Sequence, residues 1–67
     1  MTFEASPYYG EKEEILGWGI WSPSLGDWVI DDGLDEIEAR HIAAYLNGKR
    51  DMPRNSHRIL RYYGLIE

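Results

Sequence analysis

The sequence predicts an α+β domain: an antiparallel β-hairpin, with an N-terminal arm available to extend it, packed on an amphipathic helix and followed by a short C-terminal helix. Three observations carry this. EILGWGIWS and DWVID, on either side of the turn-forming PSLG, are rich in aromatic and β-branched residues. DEIEARHIAAYLNG spaces its apolar residues at helical intervals between a start signal and a stop signal. HRILRYYG repeats the helical pattern over a shorter stretch and ends on glycine.

Residues 1–13 form the arm. Ser6-Pro7 and Gly10 interrupt regular structure, and Phe3, Tyr8 and Tyr9 follow no period. Residues 14–67 form a single hairpin-helix-helix domain. Centring the hairpin of residues 14–31 on Pro23–Gly26 sets Trp21 opposite Trp28, Ile20 opposite Val29 and Gly19 opposite Ile30. Alternation then gives Trp21 and Trp28 one face of the ribbon, and Trp18, Ile20 and Val29 the other. Both faces are apolar, so one can take the helix while the other is covered by the arm and C-terminus or left for a partner.

The helix spans residues 35–47. Asp35 and Glu38 have the spacing of a capping box, and Glu36 and Arg40 form an i,i+4 pair in the favourable order. Asn47-Gly48 is a left-handed stop. Ala39, Ile42, Ala43 and Leu46 make one apolar stripe, and Ile37, His41, Ala44 and Tyr45 make a second, which predicts a helix buried on two sides. After the basic loop KRDMPR, Asn55 or Ser56 caps a helix whose expected buried side is Ile59, Tyr62, Tyr63 and Ile66.

A chain of 67 residues makes one domain. At this size folding buries only about 60% of the unfolded chain's surface. Without cysteine there is no disulfide, thiolate metal site or thiol nucleophile, so the core depends on packing, to which nine aromatic residues contribute. No apolar run approaches the ~18–20 residues of a membrane span, and the first residues lack the basic-then-apolar layout of a signal peptide. The expectation is a cytoplasmic protein with no membrane contact. Charge is divided sharply. Residues 1–38 hold ten acids against Lys12 alone, whereas residues 39–67 hold six bases against Asp51 and Glu67.

No catalytic set emerges. His41 lies in the second stripe of the helix and His57 begins a basic helix, and neither is placed to activate a nucleophile. The glycines follow hairpin rather than phosphate-loop spacing. Adjacent acids, Glu13-Glu14 and Asp31-Asp32, point to opposite sides of a strand and make poor metal or acid–base pairs. The sequence therefore predicts a non-enzymatic binding protein with no cofactor and no metal. The candidate partner surface is Glu13, Glu14, Trp18, Trp21, Asp27, Trp28, Asp31 and Asp32. The alternative is the basic patch of Lys49, Arg50, Arg54, Arg58 and Arg61, facing phosphate.

The stretch from Trp18 to Asn47, WGIWSPSLGDWVIDDGLDEIEARHIAAYLN, resembles a layout of very small phage-type proteins. In that layout a W-x-I strand, a glycine turn and a V-I-x-D-G strand lead into an E-A-x-x-I-A-x-x-L-N helix. Anti-CRISPR and other anti-defence inhibitors are of this kind, many of them short, acidic and non-enzymatic. The resemblance covers under half of the chain and transfers no functional residue. It implies an inhibitor or adaptor that occupies a site on a host protein or protein–RNA complex, in the host cytoplasm if phage-encoded. Two other readings stand beside it: a small nucleic-acid-associated regulator working through the basic C-terminal helix, which the net charge of −5 disfavours, and a homodimer that pairs hairpin edges.

Overall fold

The computed structural model describes residues 2–66, the side chain of Asp32 excepted. Its elements run β1 (Glu4–Tyr9), β2 (Ile15–Ser22), β3 (Asp27–Leu34), α1 (Glu36–Leu46) and α2 (His57–Tyr62), with one 3-10 turn, Arg54–Ser56, leading into α2. The strands form one antiparallel sheet in the order β1-β2-β3. The arm therefore joins the hairpin as a strand: its register runs from Glu4 opposite Trp21 to Tyr8 opposite Gly17, with a bulge before Tyr9. The lack of apolar period in this segment follows from its place at a sheet edge, where neither face is fully covered.

The β2–β3 register differs from simple turn centring. Trp21 does face Trp28, but Ile20 faces Ile30 rather than Val29. One extra residue on β3 moves Ile30 onto the same face as Ile20, and both become fully buried. Trp18 then faces Leu34, so residues 31–33 stand against Gly19 alone and β3 carries two more residues than β2 over this stretch. Gly33 takes φ 93° in this segment, and the strand continues three residues past its expected end to deliver Leu34 to the core.

Helix α1 begins as its sequence dictates. Asp35 is the N-cap and accepts the Glu38 backbone N–H at 2.7 Å. It ends on a Schellman motif, in which the N–H groups of Gly48 and Lys49 donate to the Tyr45 and Ala44 carbonyls and Gly48 has φ 76°. The stripe of Ala39, Ile42 and Ala43 is buried against β1 and β2. The second stripe is not. Ile37 is 69% exposed, while His41, Ala44 and Tyr45 are half-buried. The helix is thus covered on one side and flanked on the other by residues 50–56.

The buried side of α2 is centred on Leu60, not on Tyr62, which is 82% exposed. Ser56, Ile59, Leu60 and Tyr63 follow i, i+3, i+4, i+7 spacing and make the inward arc, and Tyr62 falls outside it. Leu60 enters the one core, with Ile20, Ile30, Leu34, Ala39, Ile42 and Ala43. The chain leaves α2 through a second Schellman motif at Gly64, and Leu65 and Ile66 pack back on the core.

Candidate functional site

Alternation along β2 assigns each sheet face. Trp18, Ile20 and Ser22 point to the helices, with Ile20 and Ser22 fully buried. Gly17, Gly19 and Trp21 point the other way, and no described helix covers them. Through the strand registers, Glu4, Ser6 and Tyr8 of β1 and Trp28 of β3 share that open face. Glu4, Trp21 and Trp28 thus stand in one row across the three strands.

Trp28 is the centre of this face. It occupies the space above Gly19, where an added Cβ would come within 3.1 Å of the indole carbons Cε3 and Cζ3. The glycine is therefore the seat of the ring. Trp21 meets Trp28 edge-on, with centroids 5.3 Å apart and planes inclined by 80°. Tyr8 flanks it on the other side at 6.1 Å and 63°. All three rings retain exposed surface, and Tyr8 is the most open.

Trp18 lies on the opposite face. It is half-buried, and the Arg40 guanidinium sits 5.8 Å from its ring centroid. Arg40 is held there by Glu36, which accepts from its Nε at 3.0 Å. The structure therefore brings Trp21 and Trp28 together and separates Trp18 from them.

The acids are dispersed. Glu13 and Glu14 lie in the β1–β2 turn, whereas Asp27 opens β3 at the far end of the hairpin, about 26 Å away over the eight residues of β2. Asp27 accepts the N–H of Trp28 at 2.7 Å. Asp31 is exposed and accepts from the Tyr63 hydroxyl at 3.2 Å, and the Asp32 side chain lies outside the described residues. Sequence reasoning did not single out Glu4 or Tyr8. The signal that finds them is the register of β1, because Pro7 reads as a break until the strand is paired.

Lys49, Arg50, Arg54, Arg58 and Arg61 are all exposed, and none forms an ion pair among the described residues. Arg50 and Arg54 line an open groove beside α1, but Asp35 and Glu38 line it too, so its charge is mixed. Ser56 is buried there with its hydroxyl 3.5 Å from Glu38 Oε2. Ser56–Glu38 and Tyr63–Asp31 are hydrogen bonds that tie the acidic half to the basic one. The one ion pair among the described residues, Glu36–Arg40, lies within α1.

Among the described residues there is no group of three His, Cys, Asp or Glu side chains placed to hold a metal ion. No helix among them is long and apolar enough to cross a membrane. The sequence matches no protein-family model, and neither a curated protein nor a solved structure matches the chain.

Proposed function

We propose that this chain is a non-enzymatic binding protein that docks a larger protein through the open face of its sheet. The observation that supports it is the one-sided architecture: both helices lie on one face, and the other gathers Tyr8, Trp21 and Trp28 beside Glu4. Clustered aromatics on a flat, half-exposed surface are the composition of an interface centre. The first 38 residues supply a negative field that raises the encounter rate with a positively charged site. With the resemblance of residues 18–47 to small phage-type inhibitors, this gives an inhibitor or adaptor of a basic site on a host protein or nucleoprotein.

The exposed cations of residues 49–61, which form no ion pair among the described residues, favour a second reading, phosphate contact by the helical side. One experiment separates the two. The tagged chain captures its partner from host lysate, mass spectrometry identifies it, and association is then measured for two folded variants. The docking reading expects Glu4→Lys with Asp27→Lys to lose association rate and Arg58→Glu with Arg61→Glu to keep it. Loss confined to the arginine variant, with DNA or RNA as the partner, establishes the second reading and removes the first.

A further inference from the structure

Resting on that docking reading, we infer that the open face contains a recognition site for a cationic side chain, an arginine or lysine of the partner, received on Trp28 between Tyr8 and Trp21 with Glu4 as counter-charge. Three features carry the assignment.

The first is ring geometry. Trp28 is seated above Gly19, and its two neighbours are inclined to it by 80° and 63°. Rings set steeply about a central indole present π-faces in more than one direction, which suits a cation that has to be contacted on several sides. The second is charge. The register sets Glu4 directly opposite Trp21 on this face, and Glu4 is exposed. Within the described residues of the face, Glu4, Ser6, Tyr8, Trp21 and Trp28, there is no cation to answer that carboxylate. A second copy of the chain would bring another Glu4 and another negative half against the first, so the occupant is a basic partner rather than a twin.

The third is a parallel within the same molecule. On the helical face, Glu36 holds the Arg40 guanidinium over Trp18. Carboxylate, guanidinium and indole are all supplied by the chain there. The open face supplies the carboxylate and the indoles, and the partner supplies the cation. Arginine fits better than lysine, because its planar guanidinium can stack on the indole while its N–H groups reach the carboxylate edge-on.

The test needs no identified partner. The blocked tripeptide acetyl-Gly-Arg-Gly-amide is titrated into the ¹⁵N-labelled chain, and the same tripeptide with neutral citrulline serves as its isostere. The indole N–H resonances of Trp21 and Trp28 are expected to shift along one binding curve with an affinity of roughly tens of millimolar, as suits one exposed cation–π contact with one ion pair. Trp18, on the opposite face, is the internal control and stays in place. Glu4→Gln, a change at an exposed position, is expected to weaken the arginine peptide about threefold and leave the fold intact. Equal shifts from citrulline, or no shift at Trp21 and Trp28, overturn the cation site. If those results coincide with variants that still lose the captured partner, the cation site falls and the docking reading survives.

Discussion

The side-chain amide of Asn47 binds both backbone groups of Phe3, accepting its N–H at 2.9 Å and donating to its carbonyl at 2.8 Å. The amide does for Phe3 what a neighbouring strand would do, and it comes from the C-cap of α1. In an extended chain the backbone groups of residues two apart point to the same side, so Ala5 and Pro7 direct theirs away from β2 as Phe3 does. Pro7 then costs the ladder nothing, and it removes a donor from the free edge. Clamp and proline together blunt β1 against pairing with another chain.

Asn47→Ala is expected to destabilise the fold by about 1–2 kcal/mol, the worth of two hydrogen bonds whose partners regain water. Asn47 has φ −83°, so alanine adopts its backbone freely and the loss reports the clamp alone. Urea denaturation measures the change, and amide hydrogen exchange at Phe3 should speed up selectively. Unchanged stability would mean that solvent replaces the clamp without cost.

Gly19→Ala tests the seat of Trp28. A methyl group there runs into the backbone oxygen of Ile30 as well as the indole. The carbonyl belongs to the sheet and cannot swing aside as a flexible side chain would. The expected loss is about 1–3 kcal/mol, typical of overpacking, with altered tryptophan fluorescence. A variant as stable as the parent, with the Trp28 indole resonance unmoved, would show that the close approach relaxes easily.

Local rules made much of this fold legible. Asp35, Glu38 and Asn47-Gly48 bounded α1 because caps act within one turn, and Trp21 faced Trp28 because a tight turn fixes the nearest pairs. What escaped was long-range. The bulge that brings Ile30 in is chosen by a core that also holds Leu60 and Ile42, and a hairpin alone does not contain that information. The open face was half visible, in the shared side of Trp21 and Trp28. Its other half, Glu4 and Tyr8, required pairing a segment whose proline suggested a break. Asn47 carried a stop signal that hid its reach back to Phe3, 44 residues away in sequence.

Ala43→Asp and Ile37→Asp separate the two stripes of α1. Ala43 is 7% exposed in the core cluster, and an unpaired carboxylate there costs several kcal/mol, enough to unfold a domain this small. Ile37 sits in the first turn and is exposed, where an acid favours the positive helix start. The first variant is expected to lose cooperative thermal unfolding and the second to melt within a few degrees of the parent. Similar damage from both would mean that the second stripe is buried after all.

Glu13→Gly is expected to stabilise the chain. Glu13 has φ 64°, the one non-glycine residue of positive φ among the described residues, in the turn where its N–H donates to the Gly10 carbonyl at 3.1 Å. A side chain in the left-handed region costs about 1–2 kcal/mol, and glycine removes that cost while adding disorder to the unfolded chain. The net gain expected is about 0.5–1 kcal/mol, read as a higher urea midpoint with an unchanged slope. Glu13→Asn should recover part of that gain, because asparagine tolerates this conformation better than glutamate. The turn lies at the opposite end of β2 from Trp21 and Trp28, so the indole shifts caused by the arginine tripeptide should be as large in Glu13→Gly as in the parent. A lower midpoint would show that the Glu13 side chain contributes more to the turn than its backbone conformation costs.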